Sequence, residues 1–198
     1  MKAYILFAHP GKESFNHEIL HQVTSHLKQA GISYRVNDLY ENRFQPVFTE
    51  TDMRQVEQGT VSSDIEEEQQ QITDADLLVM IYPVYWWSQP AILKGWIDRV
   101  FTDNFAFRYE SGGPVGMLTG KQAVVFTSTR ESEEEMRQSG MDDVLERQIS
   151  DGVLSFVGFK PVAYRNFAAV PYASDADRSK MIQEVSQMLD RVLEPVLV

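Results

Sequence analysis

One stretch of the sequence places a tyrosine and two tryptophans directly after an unbroken apolar run. The run, residues 77–82, is typical of a strand covered on both faces by helices. Pro83 cannot donate to a sheet ladder, so the regular strand should end there. An isoalloxazine ring needs a flat apolar face and hydrogen-bond partners along its pyrimidine edge. The stretch predicts one wall of a flavin site, with indole faces and backbone amides from Pro83, Val84, Tyr85, Trp86 and Trp87.

The two tryptophans also have an interpretation as core residues, because an indole buries well when its N–H finds a partner. Adjacent positions in a loop cannot both easily point into one core, which favours the ligand wall. Large aromatic residues beyond the carboxyl end of a central strand also lie where open α/β sheets bind ligands.

A second stretch lies between the first predicted strand and the first predicted helix. The backbone N–H groups of Phe15, Asn16 and His17 would be unpaired at the helix start. With the helix dipole they form a site suited to phosphate, to which Ser14 adds a hydroxyl and His9 an imidazole. The loop is neither a Walker A loop nor a G-x-G-x-x-G fingerprint. Ser14 is equally typical of a simple helix cap, so this loop alone leaves both interpretations open.

Hydroxyl side chains follow the fourth predicted strand, at Thr127, Ser128 and Thr129. Taken alone, they are as typical of a turn as of a binding site. In a doubly wound parallel sheet, the carboxyl ends of strands one, three and four converge on the topological switch point. We therefore expect the three stretches to line one pocket.

The first helix also carries a competing motif, since residues 17–21 match H-E-x-x-H, the helical zinc-protease signature. At 100° per residue, His17 and His21 lie opposite the apolar side of that helix. We expect both to project to solvent, and the only other histidines are His9 and His26. The motif therefore predicts a solvated helix face rather than a zinc site.

Composition narrows the function classes further. The net charge of −11 argues against binding nucleic acid or anionic membranes as the main role. The absence of cysteine excludes disulfides, thiolate metal sites and a cysteine nucleophile. The longest apolar run is far shorter than the roughly 20 residues of a membrane-spanning helix, and the N-terminus does not resemble a signal peptide. We expect a cytoplasmic protein.

Alternating strands and helices predict a single α/β domain over residues 1–198. The strands are predicted at 2–8, 32–38, 77–82, 121–128 and 161–167, and the helices at 15–30, 64–73, 90–101, 142–157 and 175–193. Helical spacing places Ala30 on the buried face of the first helix, with Phe15, Ile19, Val23 and Leu27, and it places Val144, Leu145, Ile149, Val153 and Phe156 on the inner side of the helix 142–157. Two-sided covering and right-handed crossovers favour a flavodoxin-like, doubly wound, five-stranded parallel sheet with the order 2-1-3-4-5. Residues 39–63 are predicted to be a long irregular connection with room for one helical turn, residues 102–120 another long loop, and 130–138 a charged segment.

Several motifs resemble those of one family. The longest is residues 90–101, PAILKGWIDRVF; shorter ones are AHP at 8–10, SFN at 14–16, YP at 82–83 with Trp86, FAF at 105–107 and FVGF at 156–159. Together they resemble the NAD(P)H:quinone oxidoreductase (DT-diaphorase) family of flavodoxin-like flavoproteins over nearly the whole chain.

The resemblance implies a noncovalently bound FAD, with FMN as the alternative, reduced by NADH or NADPH. Hydride would pass to the flavin N5 atom, the nicotinamide would leave, and a quinone-like acceptor would take two electrons in the same pocket. By matching positions, His9, Phe15 and Asn16 would hold the phosphate and ribityl end, and residues 83–87 and 127–130 the ring. Trp87, Phe107 and Tyr109 would line the substrate pocket across a homodimer interface. Arg178 matches an arginine near the adenine end in FAD-binding members.

Two departures from the family pattern matter. Thr129 and Arg130 stand where the family has paired glycines, and residues 131–140 hold no clear counterpart of the tyrosine and histidine that assist flavin reduction. Backbone amides and Arg130 would then stabilise charge at flavin N1 and O2. The connection 39–63 is shorter than in mammalian members, which leaves FMN open. The leading prediction is an enzyme; the alternatives are a flavoprotein regulatory subunit of a membrane transporter and a purely structural domain.

Overall fold

The computed structural model describes residues 1–194, which contain a five-stranded parallel sheet and a two-stranded antiparallel hairpin. The large sheet has the order β2-β1-β3-β6-β7, which confirms the predicted order 2-1-3-4-5. Its strands are β1 (Lys2–Phe7), β2 (Ser33–Asp38), β3 (Leu77–Pro83), β6 (Gln122–Ser128) and β7 (Val162–Phe167). The hairpin consists of β4 (Phe107–Glu110) and β5 (Gly113–Gly116).

Helices cover both faces of the sheet. The helices are α1 (Phe15–Gln29), α2 (Glu50–Glu57), α3 (Ser63–Asp74), α4 (Ala91–Val100), α5 (Glu133–Ser139), α6 (Met141–Ile149) and α7 (Asp175–Leu193). α1 and α7 pack together over one face, and residues of α3, α4 and α6 join the core on the other. None of the helices in residues 1–194 combines the length and the apolar character needed to cross a membrane.

The central strand β3 is buried along its whole length. Leu78, Met80 and Tyr82 join the core on one face of the sheet, and alternate residues join the core on the other. Each fully buried aliphatic side chain contributes about 1.5–3 kcal/mol relative to exposure. This two-sided burial explains why the apolar run is unbroken rather than alternating.

Two short helices occur where the sequence predicts irregular or merely charged segments. α2 has no buried residue and α5 buries only Met136, so neither leaves an apolar period in the sequence. Both begin with a capping box. The side chains of the N-cap residues Thr49 and Ser132 accept from the amides of Asp52 and Glu135, whose carboxylates accept from the N-cap amides. That spacing was the available signal for both helices.

The segment 102–120 was predicted as a loop, but the structure contains the β4–β5 hairpin there. The hairpin packs closely on the main body at Gly116. A Cβ atom at this position would lie 2.5 Å from the carbonyl oxygen of Phe156, so only glycine allows this approach.

The predicted helix 142–157 is not a uniform α-helix. α6 is continued by a π-helix, Ser150–Ser155, whose wider turn changes which residues face inward. Val144 and Phe156, predicted on the inner side, are exposed, whereas Leu145 and Ile149 are buried. Ala30, predicted on the buried face of the first helix, is exposed because it lies at the end of α1.

The long connection between β2 and α3 is held by α4. Arg99 is only 7% exposed and forms ion pairs with Asp52 of α2 at 2.9 Å and Asp64 of α3 at 3.0 Å. One turn earlier, Gly95 lets the connection pass directly over the helix, since a Cβ there would lie 2.0 Å from the carbonyl oxygen of Pro46. The PAILKGWIDRVF block is thus largely a structural clamp.

We expect Arg99→Ala to lower the free energy of unfolding by about 2–3 kcal/mol, because it leaves Asp52 largely buried without its partner. This loss is smaller than the full cost of breaking a buried ion pair because the Asp64 side chain is 55% exposed. Arg54→Ala is the matched control, since it removes a solvent-exposed pair with Glu50 and should cost less than about 0.5 kcal/mol. Urea denaturation of both variants measures the difference, and equal losses would contradict the clamp.

The two ion pairs of Arg99 predict that stability depends on pH. Burial raises the pKa of Asp52 and Asp64, but hydrogen bonds, including those from Arg99, outweigh it and hold both pKa values below the ordinary value. A lowered pKa adds stability above the unfolded-state pKa of about 3.9, and this is lost as pH falls through the folded-state value. The stability gap between wild type and Arg99→Ala should therefore shrink between about pH 5 and pH 2. If the difference in unfolding free energy between the two proteins stayed constant over this pH range, the carboxylates would not be the cause of that difference.

Candidate functional site

Three loops meet at the carboxyl edge of the main sheet. The Ala8 amide donates to the carbonyl of Ile81 at 3.0 Å, which joins the first loop to the second. The Val84 amide donates to the carbonyl of Ser128 at 2.9 Å, which joins the second to the third. The Ser128 hydroxyl donates to the side-chain oxygen of Asn16 at 3.1 Å, which joins the third back to the first.

The first loop ends in the N-terminus of α1. Ser14 is the N-cap, and both its carbonyl and its side chain accept from the His17 amide. The prediction of a free His17 amide was therefore wrong. The amides of Phe15 and Asn16 have no acceptor within residues 1–194, so two donors remain at the positive end of the helix dipole.

The His17 side chain lies against the sheet edge rather than in open solvent, which corrects the prediction for this residue. Its ring packs on Phe7 with centroids 4.5 Å apart and faces His9 at 5.9 Å, and its Nδ1 atom is 2.9 Å from the Ser14 hydroxyl. Burial, with a smaller contribution from His9, lowers the pKa of His17. His21 is exposed on the helix surface.

A cleft of about 560 Å³ lies beside this loop and is lined by His9, Lys12, His17, Tyr40 and Arg43, among others.

In the part of the chain that the structure describes, no group of three or more His, Asp or Glu side chains is arranged to hold a metal ion. The H-E-x-x-H match lies in the first two turns of α1, with His17 against the sheet edge and His21 on the helix surface.

The second loop is a tight turn with two tryptophans at its tip, which we call the indole turn (residues 85–88). Tyr85 and Ser88 exchange two backbone hydrogen bonds of 2.9 and 3.1 Å. Trp86 and Trp87 have φ angles of 51° and 58°, as a type I′ turn requires at both central residues. Bulky side chains rarely adopt this conformation, which costs about 1–2 kcal/mol per residue.

Trp86 gains almost nothing from burial in return for its strain, because it is 97% exposed, whereas Trp87 is half-buried. The amides of Trp86 and Trp87 have no acceptor among residues 1–194. Strained, exposed residues with unpaired donors cluster at sites that bind ligands. The core interpretation of Trp86 is therefore excluded for the free chain.

The third loop uses its hydroxyls internally rather than offering them on the rim. Thr127 donates to the side-chain oxygen of Asn166 at 2.9 Å and lies 2.9 Å from the hydroxyl of Tyr164. The Asn166 amide donates to the hydroxyl of Thr129 at 3.0 Å. Since the single Thr127 hydroxyl proton goes to Asn166, the Tyr164 hydroxyl donates to Thr127; burial raises the pKa of Tyr164 to about 12. The chain of bonds fixes the loop backbone, leaving the Arg130 amide without an acceptor among residues 1–194.

The two arginines singled out by the sequence both contact the short segment after β7, residues 170–172. The Arg130 guanidinium lies over the ring of Tyr172, 5.2 Å from its centroid. Arg178, in the first turns of α7, donates to the carbonyl of Val170 at 3.2 Å, while its buried Nε atom has no partner within the described chain. An orphaned, buried, cationic donor is costly unless a ligand satisfies it.

The hairpin carries a separate aromatic cluster. Phe107 packs against Tyr109 at 5.9 Å and against Phe156 at 5.4 Å between ring centroids. Tyr109 is 73% and Phe156 is 41% exposed, so the cluster forms an apolar surface. Phe156 was placed in the core by its helical spacing, and only the π-helix brings it here. Within residues 1–194, no ring contact joins this cluster to the indole turn.

Comparison with known proteins defines the class. A family model described as the flavodoxin-like fold matches residues 1–189, and the chain belongs to this family. An NAD(P)H oxidoreductase of Haemophilus influenzae is 30% identical over the whole chain and 98% of its own length. Human ribosyldihydronicotinamide dehydrogenase (quinone) is 31% identical, covering 96% of this chain and 91% of its own.

Solved structures agree with this placement. The NAD(P)H:quinone oxidoreductase from Methanothermobacter marburgensis superposes with a TM-score of 0.86 at 33% identity, covering 97% of this chain and 96% of that one. The resemblance to NAD(P)H:quinone oxidoreductases is therefore confirmed, as is an enzyme of the NAD(P)H dehydrogenase (quinone) type.

The strain in the indole turn is measurable. We expect Trp86→Gly to be more stable than Trp86→Ala by about 1 kcal/mol, because glycine adopts a positive φ without penalty. At Tyr34, an exposed aromatic residue of β2, the order should reverse, since glycine weakens a strand. Thermal denaturation of the four variants gives the comparison. Alanine more stable than glycine at residue 86 would show that the turn is unstrained.

Proposed function

We propose that the protein is a flavin-dependent NAD(P)H oxidoreductase that reduces quinones or similar flat aromatic acceptors by two-electron, ping-pong hydride transfer. The observation that carries the proposal is the indole turn, which holds an exposed indole and two free amides in a strained conformation. Such strain persists where it serves binding. The reactions named for the relatives support the same chemistry.

The residues at the sheet edge fit a flavin. The free amides of Phe15 and Asn16 suit a phosphate, with His9 beside them. The free amides of Trp86, Trp87 and Arg130 suit the carbonyl and nitrogen acceptors of a pyrimidine edge. A bound flavin supplies a centre that accepts a hydride and passes two electrons on; the protein orients the ring, shields one face from water and stabilises negative charge at its edge.

FAD fits better than FMN in this proposal. From the start of α1, two adjoining clefts of about 520 and 470 Å³ share Glu18 and Ile182 and lead to Arg178. FMN would end at the first phosphate, whereas the adenosine diphosphate part of FAD is long enough to continue along this groove. The orphaned Nε atom of Arg178 is the donor that such an extension would satisfy.

The substrate side of the pocket is proposed to come from a second copy of the chain. Phe107 and Tyr109 lie on the hairpin and not beside the indole turn of their own chain. Their exposed, aromatic surface suits a flat ring, and a homodimer would place it over the partner's flavin next to Trp87. Homodimer formation and a cytoplasmic location both stay predictions.

Cofactor identity has a direct test. Protein purified from cells, denatured and analysed by chromatography should release FAD. Arg178→Ala should weaken FAD binding about tenfold through loss of a charged hydrogen bond, and leave FMN binding unchanged. Arg191→Ala, in the exposed part of the same helix, is the control. Equal loss of FMN and FAD affinity would place Arg178 outside the adenosine part of the site, and a colourless protein would favour a structural domain.

The role of Arg130 is tested by kinetics. We expect Arg130→Ala to lower kcat by at least about tenfold, as for a hydrogen bond to a developing charge, while flavin affinity changes little. Arg137→Ala removes an exposed arginine paired only within α5 and should leave turnover unchanged. Unaltered steady-state turnover in Arg130→Ala would remove this role. Weak quinone turnover in the wild type, despite full flavin occupancy, would favour the transporter-subunit alternative.

A further inference from the structure

The indole turn needs an external restraint, because its two positive φ angles are unfavourable for tryptophan. Its own two backbone hydrogen bonds close the turn but do not orient it relative to the sheet. The fully exposed Trp86 makes no packing contribution that would do so. The Val84 amide anchors the start of the turn to Ser128, and side-chain contacts from elsewhere in the chain add a second anchor at its other end.

Those contacts form a closed ring of three side chains. The Ser88 hydroxyl donates to Oε1 of Gln89 at 3.0 Å, Nε2 of Gln89 donates to Oε1 of Gln148 at 3.4 Å, and Nε2 of Gln148 donates back to the Ser88 hydroxyl at 3.3 Å. Each residue donates once and accepts once. Ser88 is the last residue of the indole turn and Gln89 follows it, whereas Gln148 lies 60 residues beyond Ser88, in α6.

Gln148 also connects two parts of the proposed pocket. It lies one residue before the end of α6, which continues through the π-helix to Phe156. Phe156 belongs to the aromatic cluster of the hairpin. One helical element therefore contacts the loop proposed to hold the flavin ring and carries a residue of the surface proposed to cover the substrate.

We propose that Gln148 is a positioning residue that holds the indole turn in its strained, flavin-binding conformation. This inference rests on the proposed function. Gln148 is exposed and lies outside the three loops of the site, so it acts through Ser88 and Gln89 rather than by contact with the cofactor. Losing it frees the turn to relax toward unstrained conformations in which the amides of Trp86 and Trp87 no longer point together.

The test compares Gln148→Ala with Gln138→Ala, which removes an exposed glutamine whose side chain, within residues 1–194, bonds only to Glu134 of its own helix. We expect Gln148→Ala to weaken FAD binding by apoprotein about threefold to tenfold, the loss of one or two neutral hydrogen bonds. The Tm of the apoprotein should stay within a degree or two, since relief of strain offsets the lost bonds. Gln138→Ala should match the wild type in both measurements.

A cycle with Ser88→Ala separates positioning from general destabilisation. Because the two residues share one ring, the double variant should lose no more affinity than the larger single loss. Hydrogen exchange of the Tyr85 and Ser88 amides, measured in apoprotein, should be faster in Gln148→Ala and unchanged in Gln138→Ala. This readout needs no flavin, so it tests the restraint even if the wild type binds none and the proposed function fails. Wild-type exchange rates in Gln148→Ala, or strictly additive losses in the cycle, would overturn the inference.

Discussion

The structure depends on the parallel register of three central strands. β1 and β3 pair so that Phe7 lies beside Ile81, and β3 and β6 pair so that Pro83 lies beside Ser128. Since parallel strands end at the same edge, this register alone brings three loops distant in sequence into hydrogen-bonding contact. A shift of one residue would turn every buried side chain of β3 to the opposite face, and the closely packed cores on both faces would then have to repack.

Polar groups inside the fold serve mainly to position backbone. Glu68 accepts from Asn37 and Trp96 at 2.8 Å each and also bonds Tyr4, which ties α3 to the sheet and to α4. The hydroxyls of the third loop do the same beside the site. Buried polar groups must find partners. Side chains whose type suggests a ligand contact in the sequence therefore bond to other side chains, and they hold the backbone in place.

The candidate site combines loops that are fixed by internal hydrogen bonds with a turn that is strained and exposed. The start of α1 and the third loop are anchored by internal bonds and leave only selected amides free. The indole turn is the opposite case, since its backbone is strained and its largest side chain lies in solvent. A rigid frame with one strained, exposed element is typical of a functional site.

Apolar periodicity and the topology of parallel sheets were enough to predict the sheet order, the buried strands, the extent of α7 and the three segments that meet. These signals missed α2 and α5, which bury almost nothing and leave no period, although their capping boxes were readable. Only the tertiary structure decided the position of Phe156, since a π-helix shifts the inward face in a way no spacing shows. It also decided that Arg99 is a clamp, that Thr127 and Thr129 hold the backbone of the third loop in place and that Trp86 is exposed, because each depends on partners far away in the chain.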